Sequence, residues 1–152
     1  IKLVATDIDG VWTDAKMHYT ENGDFMKSFS TYDGMAVQLL REKNIETVII
    51  TSENSNIVLQ RAKKLNIKNV TIGEKNKLER MKKICADKNI NLNEVAYIGD
   101  DINDIEVLKE VGFSALTSNS PIKKQIKVDY ITKRKGGDGA FREFVDLILK
   151  EK

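Results

Sequence analysis

Cysteine, proline and tryptophan each occur once in 152 residues, and each scarcity excludes something. A single thiol, Cys85, can form no internal disulfide and has no partners for a structural zinc site, which agrees with a reducing compartment and makes the cytoplasm the expected location. One proline and nine glycines exclude collagen-like, mucin-like and disordered classes. A dominant charge sign is also missing: 25 Lys and Arg face 23 Asp and Glu, a net charge of +2. That balance gives no blanket reason to expect nucleic acid or an anionic membrane as a partner, so any anion site must be local. No apolar run approaches the ~18 residues needed to cross a bilayer. The apolar amino end soon meets Asp7 and Asp9 instead of a small-residue cleavage site. The chain opens at Ile1 without a methionine, consistent with an upstream segment trimmed or left out. What is present, 41% hydrophobic and 32% charged residues, is the mixture of a compact globule. A chain of this size buries roughly 70% of its unfolded surface, enough for one domain over residues 1–152 and cramped for two.

Short apolar runs bounded by Gly, Asp, Asn or Ser predict buried strands at Ile1 to Thr6, Thr47 to Thr51, Asn69 to Ile72, Val95 to Ile98, Phe113 to Leu116 and Tyr130 to Thr132. Between them, apolar residues at three- and four-residue spacing predict amphipathic helices: Met35, Leu39 and Leu40, then Val58, Ala62 and Leu65, then Leu78, Met81 and Ile84. Buried strands alternating with helices indicate a parallel sheet covered on both faces, because parallel pairing requires crossovers. The expected fold is therefore a doubly wound α/β sandwich with no second domain. Asp14 to Phe29 interrupts the alternation, with Met17, Tyr19, Phe25 and Phe29 around Glu21-Asn22-Gly23-Asp24. Asn-Gly at its centre predicts a β-hairpin flap after the first strand.

Open α/β sheets bind ligands beyond the carboxyl ends of their strands. Strand one ends in Asp7-Ile8-Asp9-Gly10, strand two in Thr51-Ser52-Glu53, strand three leads to Gly73-Glu74-Lys75-Asn76-Lys77, and strand four ends in Gly99-Asp100-Asp101-Ile102-Asn103-Asp104. Crowded like charges must shift their pKa values or bind a cation, and an oxygen-only set suits Mg²⁺. The expected ligands are Asp7, the main-chain carbonyl of Asp9, and Asp100. A carboxylate can attack phosphorus only when metal and ammonium charges suppress its repulsion from the phosphate. Asp7 is the candidate nucleophile. Asp9 is placed to protonate the departing alkoxide and then to take a proton from water, Thr51 to hydrogen-bond a phosphoryl oxygen, and Lys77 to neutralise the equatorial oxygens. Phosphate-monoester hydrolysis can require acceleration up to ~10²¹-fold. A positioned acid or base supplies ~10² to 10⁴, so the whole set is needed.

With these residues in place, Asp7-Ile8-Asp9-Gly10-Val11, Thr51, Lys77 and Gly99-Asp100-Asp101-Ile102-Asn103-Asp104 resemble the four motifs of the haloacid dehalogenase superfamily of phosphatases. A response-regulator receiver gathers similar groups, but its phosphorylated aspartate lies near mid-chain, whereas here the acid pair opens the chain. Asp7 to Asp14, Asp33-Gly34, Tyr97 to Asp101 and Gly136-Gly137-Asp138-Gly139-Ala140-Phe141-Arg142-Glu143 resemble the cap-less branch that dephosphorylates 3-deoxy-ulosonate sugar acids. The resemblance implies Mg²⁺ dependence and a homotetramer in which a neighbouring subunit helps to close the site. Thr51-Ser52-Glu53, with Lys64 eleven residues after Glu53, is closer to the nonulosonate 9-phosphate enzymes than to the octulosonate 8-phosphate enzymes, which tend to carry Thr-Gly-Arg. The nine-carbon substrate is therefore the expectation and the eight-carbon one its alternative. The implied substrate contacts are Thr51, Ser52, Glu53, Lys64, Lys77, Asn103 and Arg142. Three departures stand out: Ser52 replaces a common glycine, Asn76 a common aspartate before the lysine, and Ala36 a glycine. Relatives fused behind sialic-acid cytidylyltransferases, some serving only assembly, provide an alternative of another class.

Several residues carry plainer readings. Lys75 rivals Lys77, which motif spacing favours. Asp101 and Asp104 suit caps of the following helix, and His18 a surface or interface position without metal. Cys85 suits buried packing, while Trp12 and Tyr32 suit either packing or stacking on a sugar. The basic run Lys133-Arg134-Lys135 reads as a solvated cluster that can attract an anionic substrate, with Arg142 on the next helix to meet its carboxylate.

Overall fold

The computed structural model of the chain describes residues 1–151. Every residue of the first strand, β1 (Leu3–Thr6), is buried, because successive side chains point to opposite faces of the sheet and both faces are covered. Leu3 and Ala5 join one apolar cluster and Val4 the other. The hairpin β2 (His18–Thr20) and β3 (Gly23–Met26) follows, then α1 (Thr31–Glu42), β4 (Glu46–Ile50), α2 (Asn56–Lys64), β5 (Asn69–Thr71) and α3 (Lys77–Lys88). The chain ends with β6 (Val95–Gly99), α4 (Ile105–Glu110), β7 (Phe113–Leu116), β8 (Tyr130–Ile131) and α5 (Ala140–Lys150). Six strands form one sheet in the order β5-β4-β1-β6-β7-β8, every pair parallel. In register, Leu3 stands beside Glu46 on β4 and Val95 on β6. The expected α/β doubly wound sheet is present.

The two faces are dressed by different helices. Val37 and Leu40 of α1, Val58 and Ala62 of α2, and Phe141, Phe144 and Val145 of α5 share a cluster with Val4 and Ile49. Met81, Ile84 and Cys85 of α3 and Val107 and Leu108 of α4 cover the opposite face against Val48, Ile50 and Tyr97. Cys85 is thus a packing residue. Trp12 resolves the same way: it is 1% exposed, lies 5.1 Å from the Phe141 ring centroid, and donates its indole N–H to Thr6 Oγ1. Stacking on a sugar is therefore closed to it, while Tyr32 remains exposed.

Three strands, β1, β5 and β8, are one or two residues shorter than their apolar runs; β7 matches its run, β4 lies one residue earlier, and β6 continues one residue further to Gly99. The hairpin forms as expected, with Thr20 opposite Gly23, so Glu21 and Asn22 make the turn. Asn-Gly is one residue off centre, and Gly23 takes the positive φ of 104°. Its outward side chains Tyr19, Phe25 and Met26 stay exposed. His18 packs edge-on against Phe25, and the one cluster of potential metal ligands among the described residues is made of aspartates. None of the described helices is long and apolar enough to cross a membrane.

Candidate active site

β1 has β4 on one side and β6 on the other, so the connections leave it in opposite directions and open a crevice at the strands' carboxyl ends. There Asp7, Asp9, Thr51, Ser52, Glu53, Asp100 and Asn103 line a cleft of about 220 Å³. Asp7 extends the β1 ladder, its N–H donating to the Ile98 carbonyl, which fixes its backbone against β6. The chain then turns sharply: Val11 and Trp12 both donate to the Ile8 carbonyl. Gly10 is required in that turn. Its φ is +88°, and a Cβ there would lie 1.7 Å from Asp100 Oδ2. The Gly136-Gly137 segment presses on the same turn, Gly137 donating its N–H to the Val11 carbonyl and Gly136 too close to the Gly10 carbonyl for any side chain.

Lys77, the first residue of α3, is the lysine that reaches the cluster. Its ammonium is buried 3.0 Å from Asp7 Oδ1 and 2.8 Å from Asp104 Oδ1, whereas Lys75 is exposed. Burial works against the ammonium, but Asp7 and Asp104 outweigh it and hold the Lys77 pKa above that of an ordinary lysine. Asp104 does more than cap a helix. Besides Lys77 it accepts from the Tyr97 hydroxyl and, through Oδ2, from the N–H groups of Asp100 and Asp101. It therefore ties the loop after β6 to the lysine. Burial and the Asp104 charge push the Tyr97 phenol upward, so it stays a donor. Asp101 caps the short turn at Ile102–Asp104 as expected.

Oxygens of Asp7, Asp100 and Asp104 lie within 4.8 Å of one another. Burial first, then the Asp104 carboxylate, raises Asp7 well above the usual carboxylate range and Asp100 to about 7. Three carboxylates against one ammonium leave two negative charges, which one divalent cation cancels. With both Asp104 oxygens spent on hydrogen bonds, Asp7 and Asp100 are the carboxylates free to bind it. A hard, oxygen-only donor set fits Mg²⁺.

Across the cleft, the Thr51 N–H donates to the Thr71 carbonyl and its own carbonyl accepts from Glu74, pinning the end of β4 to that of β5. Ser52 uses its hydroxyl to accept from Asn103 Nδ2 at 2.9 Å, so the departure from glycine bridges two strand ends. Glu53 is exposed at the rim, and Glu74 turns away to Arg80. Lys64 and Arg142 stand outside the cleft of their own chain. Lys64 ends α2, exposed, and Arg142 pairs with Asp146 along α5. Lys27, which the sequence reading did not single out, comes into the site from the hairpin, with its Nζ 2.9 Å from Asp9 Oδ1. No local pattern marks it, since its partner lies eighteen residues away.

The family model of haloacid dehalogenase-like hydrolases matches residues 69–144. The 3-deoxy-D-manno-octulosonate 8-phosphate phosphatase of Haemophilus influenzae is 35% identical over 99% of this chain and 83% of its own length. The chain belongs to the haloacid dehalogenase-like hydrolases. Among solved structures, the cobalt-bound Haemophilus influenzae enzyme superposes with a TM-score of 0.94 at 35% identity, covering 99% of this chain and 88% of that one. The Moraxella catarrhalis 3-deoxy-D-manno-octulosonate 8-phosphate phosphatase, in complex with magnesium, phosphate and its sugar acid, gives 0.95 at 38% identity over 100% of this chain and 87% of that one. As a member of this family, the chain is a phosphoric monoester hydrolase with Mg²⁺ as cofactor, and no cap domain is inserted between its strands. The reading as a non-catalytic assembly module gives way to that of an enzyme. The nine-carbon expectation, which rested on Glu53 and Lys64, finds no support among these relatives, both named for the eight-carbon substrate.

Proposed function

We propose that this chain removes the phosphate of a 3-deoxy-octulosonate 8-phosphate through an aspartyl-phosphate on Asp7. The observation that carries the chemistry is Asp7 beside Lys77, with Asp100 opposite and a net negative charge suited to one divalent cation. The bound cation supplies charge that offsets the repulsion between carboxylate and phosphate. The chain's own groups do the rest. Asp7 attacks phosphorus as the phosphorus–alkoxide bond breaks, and Lys77 neutralises the equatorial oxygens from below the cleft. Thr51 holds a phosphoryl oxygen. Asp9 gives the departing alkoxide a proton, then receives one from the water that splits the acyl-phosphate.

Eight carbons are favoured over nine by the named relatives, which match almost the whole chain. At about 220 Å³ the cleft falls below the ~300 Å³ at which ligand pockets usually begin. It can hold the phosphate and part of the sugar acid, and leaves the rest of the sugar to surfaces beyond one chain. This supports a homo-oligomer, a homotetramer by family resemblance, in which Lys64 and Arg142 serve a neighbour's substrate carboxylate. Phosphate release from eight- and nine-carbon 3-deoxy-ulosonate phosphates, with Mg²⁺ or chelator and Asp7→Asn as the blank, tests the reading. A kcat/KM at least tenfold higher for the octulosonate is expected. A preference for the nonulosonate, or release undiminished by Asp7→Asn, contradicts it.

A further inference from the structure

Asp9 is held unevenly. Its Oδ1 accepts from the Lys27 ammonium at 2.9 Å, while its Oδ2 is buried without a hydrogen-bond partner. Lys27 itself is an unusual residue: its side chain is 0% exposed, although lysine is almost never fully buried unless paired. It sits just after β3, eighteen positions from Asp9, and its remaining neighbours are Asp24 Oδ2 at 3.6 Å and Met17 Sδ at 3.6 Å. All three neighbours belong to the turn after β1 or to the flap. One ammonium thus joins the flap to the Asp9 carboxylate.

A buried carboxylate oxygen without a partner has given up its water with nothing in return, a cost that calls for an explanation such as a catalytic role. We propose that Lys27 is a positioning residue for Asp9: by gripping Oδ1 it stops the carboxyl group from turning and presents Oδ2, the only free oxygen, to the leaving group. This rests on the reading of Asp9 as proton carrier. In the first step an Asp7 oxygen bonds to phosphorus, the phosphorus–alkoxide bond breaks, and the alkoxide takes the proton from Asp9 Oδ2. In the second, water bonds to phosphorus, its proton returns to Oδ2, and the Asp7 carboxylate departs. Lys27 keeps its protons throughout. Because its stem belongs to the flap, displacement of the flap also releases Asp9.

Leaving-group dependence separates positioning from general support. An alkoxide needs a proton to depart, whereas p-nitrophenolate does not, and kcat/KM reports only steps up to the first irreversible one, here transfer to Asp7. The Mg²⁺-loaded enzyme and its Lys27→Met, Lys27→Arg and Asp9→Asn variants are compared on the octulosonate 8-phosphate and on p-nitrophenyl phosphate. Since a positioned acid supplies ~10² to 10⁴, Lys27→Met is expected to lower the alkyl-to-aryl ratio of kcat/KM by ~10- to 100-fold. Lys27→Arg keeps the charge and restores most of the ratio, and Asp9→Asn lowers it at least as far as Lys27→Met. Aryl turnover shows that each variant retains a folded site, and Lys27→Gln replaces Lys27→Met if the latter does not fold. Equal loss on both substrates, or no loss on either, overturns the role of Lys27. An unchanged ratio in Asp9→Asn instead overturns the reading of Asp9, and the role of Lys27 with it.

Discussion

Asp33 is 1% exposed, accepts the Arg142 N–H through Oδ1, and leaves Oδ2 buried and unpaired. Burial drives its pKa from 3.8 up to about 6, against the pull of the Arg142 N–H and of Arg61, with Asp138 adding to the rise. The folded chain therefore holds this proton to higher pH than the unfolded chain does. The sign follows: stability falls as pH rises from about 4 to about 6, and the deficit persists above that. A shift of roughly two units corresponds to a deficit on the order of 2–3 kcal/mol. Asp33→Asn is expected to unfold at higher denaturant concentration at pH 7 and to flatten the slope between pH 4 and 6. An Asn variant less stable at pH 7 would show that attraction to Arg61 and Arg142 outweighs the burial. Asp7, Asp9 and Asp100 were legible because acids at the ends of predicted buried strands have one place to converge. Lys27 was not, because an ion pair eighteen residues apart leaves no local pattern. Nor did the sequence reveal that Asp104 would spend both oxygens on hydrogen bonds, which excludes it from the ligand set that its spacing allows.

At the scale of elements, α3 is the one whose start matters most, since Lys77 is its first residue. Asn76 caps it, accepting the Glu79 N–H at 3.2 Å, so the residue that departs from the family's aspartate retains its capping function. Asn76→Ala is expected to cost about 1 kcal/mol of stability, measured by urea unfolding, and to lower kcat as the first turn frays around Lys77. Asn76→Asp keeps the cap and adds a favourable charge at the helix N-terminus, about 0.3–1 kcal/mol. If Asn76→Ala leaves both stability and kcat unchanged, the cap does not hold the lysine. Elements were legible in the sequence because alternation and helical spacing survive folding. Their ends were less so: the hairpin turn slid by one residue because Gly23 is needed at a positive φ, a backbone requirement that the dipeptide alone does not place.

For the molecule as a whole, a sheet that changes winding direction at β1 brings four acidic or basic strand ends into one charged crevice. Metal-free protein carries the resulting cost. With Asp7 well above the usual range and Asp100 at about 7, protons favour the folded state, so stability falls as pH rises from about 4 through about 7. Mg²⁺ competes with those protons. At pH 8 a hundredfold excess over its dissociation constant adds about 2.7 kcal/mol, seen as a rise in Tm that chelator reverses. At pH 5.5 the rise is expected to shrink; a rise independent of pH would place the cation elsewhere. The substrate's length was the least legible feature, because the three-residue string Thr51-Ser52-Glu53 cannot measure a sugar. Covalent transfer to Asp7 is the claim on which the rest depends. Rapid acid quench of the Mg²⁺-loaded enzyme with phosphorus-labelled substrate, followed by peptide mapping, tests it most directly. Hydroxylamine-labile label is expected on the peptide containing Asp7 and none in Asp7→Asn; turnover with no labelled protein, or label on another residue, would overturn covalent transfer to Asp7.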